Sequence, residues 1–314
     1  MQWGGDMRSP FTQHPAMAAP VDPWDATADV PTIASVEGRT VPLAISGQCV
    51  LDNRTRYEHC EIAMEAGFPI LTGGNPRIID APTVIVGTGP SAIALLPEIR
   101  ARYDRGEEII AIKGAHDWLI ANGIIPRAAI AMDPQKARAK CFRKPQRKVL
   151  YLCASQMHPD TWEHMRGFQT LIWHTRIEAV QERTRPEWNG RYIVPCCTTT
   201  GNNSLILLHR LGRRNFHLYG FDSSIPEPRT LVERMLAKVR GRLIKLDGFR
   251  ARRDKRITTV VVDGRSYQTT AELVQQAQEI YPLLKFLHDA KVSAYGDGYY
   301  QAVLRAGKAQ GWPV

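Results

Sequence analysis

No apolar run in the 314-residue chain reaches 18 residues, so a membrane-spanning helix is not expected. The first 29 residues hold no apolar signal core; they are polar and rich in Pro, Ala and Asp, so no export signal is expected. The six cysteines (Cys49, Cys60, Cys141, Cys153, Cys196, Cys197) form no C-x-x-C pair, which argues against the common zinc and dithiol patterns. They read as reduced, mostly buried thiols of a cytoplasmic protein. No internal repeat is present. Two basic runs lack the interleaved aromatics of single-strand nucleic-acid binders. The NAD fingerprint also fails, since Ile93 and Ala94 stand where its third glycine would be.

What the chain does contain is centred on Thr83-Val84-Ile85-Val86-Gly87-Thr88-Gly89-Pro90-Ser91. Four β-favouring residues run into a glycine turn, and an amphipathic helical pattern follows with Ile93, Leu95, Leu96 and Ile99 apolar. Glycines permit close backbone approach, and a helix start offers unpaired N–H groups to phosphate. Gly87, Thr88, Gly89, Pro90 and Ser91 are therefore the first candidate nucleotide-binding residues.

Strands alternate with helices along the rest of the chain. Strands are expected at Glu108–Ile112, Ala128–Met132, Val149–Cys153, Thr170–Trp173, Phe216–Tyr219, Ile257–Val262 and Val292–Tyr295, with a further one at Val41–Ile45. Helices are expected at Asn53–Ala66, His116–Ala121, Gly201–Leu211, Arg229–Arg240 and Gln268–Ala290, the last kinked at Pro282. This alternation predicts an α/β, Rossmann-like fold: a mostly parallel sheet flanked by helices. Residues 1–30 read as a flexible tail, 31–80 as an N-terminal extension packing on the core, and 81–314 as the nucleotide-binding transferase domain, with a basic insertion at about 229–256.

Ligands of such sheets bind at the carboxyl ends of the strands. Asp133 and Asp222 both end predicted strands there and are the candidate catalytic residues. Asp133 is also the candidate Mg²⁺ ligand, with a helix N-cap as its plain structural alternative. Thr199, Thr200, Gly201, Asn202 and Asn203 open a helix and form a second candidate nucleotide pocket. Lys113, His116 and His174 are candidate charge partners.

The net charge of +10 is concentrated in two places. Residues 136–148 hold seven Lys/Arg and no acid, and residues 229–256 hold eleven against three acids. Such runs suit an anionic partner, or simply a solvated face. Arg250, Arg252 and Arg253 are the candidate anion clamp.

Taken in order, Val-Gly-Thr-Gly-Pro-Ser (86–91), Ala-Asn-Gly-Ile-Ile-Pro-Arg with Ala-Met-Asp-Pro (121–134), and Thr-Thr-Gly-Asn-Asn-Ser with Tyr-Gly-Phe-Asp (199–222) resemble the 6-hydroxymethylpterin diphosphokinase-like family. That group looks related to motility-associated glycosyltransferases and to a bacterial sialyltransferase family. The resemblance covers roughly residues 80–290. It implies a Rossmann-like fold and a transferase using a small anionic nucleotide or nucleotide-sugar donor, with Mg²⁺ as a candidate cofactor. The sialyltransferase branch carries a catalytic His where this chain has Arg265, which argues against sialyl transfer. The acceptor is not implied. Two other readings stay open: a non-catalytic nucleotide-binding or assembly protein, and a nucleic-acid-modifying transferase with nucleic acid as partner.

Overall fold

The computed structural model describes residues 35–36, 39–40, 51–71, 76–175, 193–194, 197–225 and 257–312. The expected tail at 1–30, the strand at Val41–Ile45, the loop residues 73–75, the basic insertion with Arg250, Arg252 and Arg253, and Cys49 and Cys196 lie outside those residues.

A parallel sheet forms the centre. Its strands are β3 (Thr83–Val86), β4 (Glu108–Ile112), β5 (Ala128–Ala131), β6 (Leu150–Ala154), β7 (Thr170–Thr175), β9 (Asn215–Tyr219) and β12 (Lys291–Tyr295), with the two-residue β8 (Ile193–Val194) at one edge. The order is β12-β9-β3-β4-β5-β6-β7-β8, and every pairing is parallel. The expected α/β architecture is what forms. The cause is legible in the strands. Thr83-Val84-Ile85-Val86 and Ala128-Ala129-Ile130-Ala131 are buried at every position, as strands covered on both faces must be. Ile85 sits in register between Ile110 and Leu218, and all three are buried. Each such side chain contributes about 1.5–3 kcal/mol of transfer free energy.

From β3 the chain lays strands consecutively to one side, then returns so that β9 pairs with the other side of β3. This reversal is the topological switch point, where α/β sheets open a crevice beyond the carboxyl ends of their strands.

A second, antiparallel sheet was not expected. β10 (Ile257–Val262) and β11 (Arg265–Thr270) form a hairpin, and β1 (Ser35–Val36) and β2 (Arg39–Thr40) extend it in the order β11-β10-β1-β2. The hairpin turns at Asp263 and Gly264, whose φ values of 48° and 74° suit a two-residue primed turn. This corrects the helix expected over Gln268–Ala290. Gln268, Thr269 and Thr270 pair with Thr259, Thr258 and Ile257 in the hairpin, and the helix starts at Ala271. It also divides, into Ala271–Gln278 and Ile280–Phe286, with the break at Glu279. Pro282 lacks the N–H that the carbonyl four residues earlier would need.

Among the described residues, no helix is long and apolar enough to cross a membrane.

Candidate functional site

Three loops meet at the carboxyl edge around Asp222. The β3 turn comes first. Gly87 N–H donates to the Tyr219 carbonyl at 2.7 Å, and Gly89 N–H to the Gly220 carbonyl at 2.9 Å. The contact is so close that a Cβ on either Gly87 or Gly89 would lie 2.6 Å from the Gly220 oxygen. On Gly89 it would press closer still on the Asp222 carboxylate. The two glycines thus serve backbone-to-backbone packing across the switch point. The third loop, after β12, closes over both. A Cβ on Gly296 would meet Ser91 Oγ at 2.8 Å and Asp222 Oδ1 at 3.3 Å.

Asp222 is buried, and its Oδ2 accepts the Ser91 backbone N–H at 2.8 Å. Burial pushes the Asp222 carboxyl above its usual range, against the hydrogen bonding from Ser91. Its Oδ1 and the Ser91 hydroxyl are buried and make no well-aligned hydrogen bond among the described residues, although the Ser91 hydroxyl and the Gln301 amide lie near enough to favour the charged carboxylate. The helix that Ser91 opens is four residues long, Ser91–Ala94, so its N-terminal field is small and is already met by a carboxylate. Thr88 is half-buried, and its methyl would lie 3.7 Å from a Cβ on Gly114, in the loop after β4.

The second candidate pocket is built the same way. Thr199 caps the helix Thr200–Arg210, its side chain accepting the Asn202 N–H at 3.3 Å. Asn203 ties the loop down, accepting from Cys197 N–H at 3.2 Å and donating to the Cys197 and Thr199 carbonyls at 2.9 Å each. Asn202 donates to the Gln276 carbonyl and to Glu279 Oε2, each at 2.9 Å, and accepts from the Tyr300 hydroxyl. Glu279 Oε1 accepts the Thr198 N–H at 2.8 Å and its hydroxyl at 2.5 Å. Burial raises the Glu279 carboxyl despite these donors. Gly201 lies against the Phe221 ring, and the buried Thr200 hydroxyl has no partner among the described residues. Sequence reading did not single out Glu279. It falls inside a helical pattern, and its partners are some 80 positions away.

Asp133 stands apart. Its Oδ1 accepts the Gln135 N–H at 3.1 Å in an Asx turn, and its Oδ2 meets Lys113 Nζ at 3.2 Å. Gln135, not Asp133, precedes the short 3₁₀ helix Lys136–Arg138. Asp133 and Asp222 share the carboxyl edge but are separated by three strand spacings, roughly 14 Å. Among the described residues, no three His, Cys, Asp or Glu side chains converge as a metal cluster. A divalent ion at Asp133 would draw its remaining oxygens from water and a bound phosphate.

The other candidates are structural. His116 is fully buried between Asp117, 2.8 Å from its Nδ1, and the Tyr151 hydroxyl, 3.0 Å from its Nε2. His174 Nδ1 lies 2.9 Å from the Ser155 hydroxyl. Cys60, Cys141 and Cys153 are free thiols. Burial pushes Cys60 up to about 11 and Cys141 to about 12, so neither is a ready nucleophile.

The family described as MptE-like, 6-hydroxymethylpterin diphosphokinase MptE-like, matches residues 64–228, just over half of the chain. A search of curated proteins found no match. Among solved structures the chain is similar to the MAf glycosyltransferase from Magnetospirillum magneticum AMB-1, with 16% sequence identity and a TM-score of 0.56. The match covers 84% of this chain and 43% of that one, so the chain spans less than half of that protein's length. At this identity the likeness is one of fold.

Proposed function

The chain belongs to the 6-hydroxymethylpterin diphosphokinase MptE-like family, and on that premise we propose a transferase that uses a nucleotide-activated donor. The observation that carries this reading is the carboxyl edge at the switch point. There a glycine turn, a buried acid and an acid–lysine pair line one side of a parallel sheet. Donor phosphates would lie over the outer side of the Gly87–Ser91 turn, with Thr88 as the contact and the glycines and Ser91 holding its shape. Asp133 would hold Mg²⁺ or order the donor, with Lys113 beside the phosphates. Asp222 would set the position of the turn. In the Thr199–Asn203 segment both Asn side chains are committed to protein partners, so contact with a base would come from Thr199 and Thr200. Catalysis by such an edge is positioning and charge stabilisation around an in-line transfer, either of diphosphate or of a sugar. Arg250, Arg252 and Arg253 would clamp the anionic donor.

Calorimetry against CMP, CDP, ATP and GTP, with and without Mg²⁺, tests the donor. One nucleotide should bind saturably, more tightly with Mg²⁺, and the Mg²⁺ effect should vanish in Asp133→Asn. If none binds, the donor reading is wrong. Replacing the three arginines with Gln should weaken that binding. If instead it only flattens the salt dependence of DNA binding, the partner is nucleic acid.

A binding or assembly role without turnover is the second reading. It is favoured by Arg265, which pairs with Asp297 at 2.5 Å where the sialyltransferase branch has its base. Nucleotide binding with no turnover of any donor would select it.

A further inference from the structure

We propose that Arg56, His59, His158 and Lys136 form a phosphate-binding site at the carboxyl edge beyond β5 and β6, separate from the glycine turn. It does not rest on the donor reading. The site and the β3 turn are two to three strand spacings apart, roughly 10–14 Å.

Arg56 and His59 are three residues apart on the helix Asn53–Glu65 and so share a face. Both are buried, each 8% exposed. A buried guanidinium ordinarily faces a carboxylate. Arg56 has none among the described residues. Its Nε and Nη2 donate to Gln156 Oε1 at 3.1 and 2.6 Å, and its Nη1 to Asn53 Oδ1 at 3.2 Å. The same Gln156 oxygen also takes the Thr175 hydroxyl at 3.1 Å. One amide oxygen with two lone pairs therefore serves three donors, while Arg56 keeps N–H groups in reserve. Among the described residues the charge is held in place but not neutralised.

The two histidines have defined faces. His59 Nδ1 lies 3.1 Å from the Gln156 carbonyl, which can only accept, so Nδ1 carries a proton and Nε2 donates to an oxyanion only when the ring is protonated. His158 Nδ1 accepts the Asp160 N–H at 3.2 Å, so its neutral ring carries the proton on Nε2 as a donor. The rings meet edge-on with centroids 5.3 Å apart. Burial lowers the His158 pKa. Asp160 opposes that shift, and the charges of His59 and Lys136 add to it. Several bases thus lie near one another, and Asp160, whose Oδ1 is 3.5 Å from His158 Nδ1, is the acid that borders them. An oxyanion among them would relieve that repulsion and accept from Arg56, His158 Nε2 and Lys136 together. Lys136 is exposed and opens the loop after Asp133. Gln156 Nε2 donates to the Met132 carbonyl at 2.8 Å, which anchors the cluster to the strand end that carries Asp133. The family match begins at residue 64, so Arg56 and His59 come from the segment before it.

The test is calorimetry at neutral pH with inorganic phosphate, and separately with AMP, on the full chain. Wild type should bind one phosphate saturably. Lys136→Gln and His158→Asn, neither of which removes a core side chain, should each weaken it about tenfold while melting normally. Arg56→Lys keeps the charge but loses the fork, and should weaken it too. If AMP is weakened in parallel, the phosphate is a nucleotide's. If AMP is untouched while phosphate is weakened, the site serves a phosphate without a nucleoside. Absence of saturable phosphate binding in wild type, or wild-type affinity in the Lys136→Gln/His158→Asn double variant, overturns the site.

Discussion

The Ser91 backbone N–H points at Asp222 Oδ2, 2.8 Å away and 131 positions along the chain. The helix start that the sequence offers to a phosphate is met by the protein's own carboxylate. Glu279 does the same at the Thr200–Arg210 helix through Thr198 and Asn202. Two buried acids therefore fix the β3 turn and the Thr199 loop. What remains for a ligand is the outer face of each.

Gly89→Ala is expected to act on the fold. The new Cβ would lie 2.6 Å from the Gly220 oxygen and closer to Asp222, and neither backbone nor buried carboxylate can move aside cheaply. Overpacking of this kind costs about 1–3 kcal/mol or more. Urea denaturation measures it. A variant as stable as wild type would mean that the turn and the β9 loop are not in contact.

Asp222→Asn should leave stability at neutral pH unchanged or raise it. The Asn oxygen can still accept from the Ser91 N–H, and the amide can donate to the Ser91 hydroxyl, which has no well-aligned partner. The folded pKa lies above the ordinary value of 3.8 because of burial, so the ionised form opposes folding above that range. The variant's advantage should therefore be greatest near neutrality and fade as pH falls through the raised pKa. An advantage that grows on acidification contradicts this.

How legible was this in the sequence? The central strands were, because β3 to β7 are short β-favouring runs between turn residues, and β4 falls on Glu108–Ile112 as expected. The β10–β11 hairpin carried its own signal in Asp263-Gly264. That signal was outweighed by the long polar–apolar pattern continuing into the helix. Within β11, Tyr267 and Thr269 alternate inward, a two-residue period hidden by a run of polar types. The acids at Asp133 and Asp222 were visible as strand ends. Their unequal surroundings were not, since burial of Asp222 depends on loops from three distant strands. Arg56 and His59 look like ordinary polar helix residues until Gln156 is placed against them.

Asp133→Asn should change stability by less than about 1 kcal/mol. The amide oxygen can keep the Gln135 turn, and a partly exposed pair with Lys113 is worth little. Mg²⁺-dependent nucleotide binding is the quantity expected to fall. If thermal shifts with nucleotide and Mg²⁺ match wild type, Asp133 is a turn residue only.

Acid should weaken the contacts around Asp289. Burial alone would raise its carboxyl, but His209 and Arg214, each 2.6 Å away, override it and hold the value at about 2. A depressed acid contributes stability above its unfolded value, here 3.8, and loses it as pH falls toward 2. Asp289→Asn should flatten the stability-versus-pH curve in that window. The effect will be modest, because the side chain is 40% exposed. An unchanged slope would remove Asp289 from the acid response.

Glu279→Gln should behave unlike Asp222→Asn, although both neutralise a buried acid. At Asp222 one oxygen has no well-aligned donor, only the nearby Ser91 hydroxyl and Gln301 amide. At Glu279 both oxygens are engaged: Oε1 takes the Thr198 N–H and hydroxyl, and Oε2 takes the Asn202 amide. Whichever way a Gln is turned, its NH₂ confronts a donor. Asn202 cannot flip to help, because its oxygen accepts from Tyr300 and its nitrogen also donates to the Gln276 carbonyl. Removing the charge recovers some desolvation, since burial raises this carboxyl. The donor–donor contact should still win, because it leaves buried polar groups unmatched at about 1–3 kcal/mol. The loss should appear in urea denaturation, along with weaker hydrogen-exchange protection at Thr198 and the first turn of the Thr200 helix. If Glu279→Gln is as stable as wild type and protection at Thr198 is unchanged, the carboxylate does not hold the Thr199 loop.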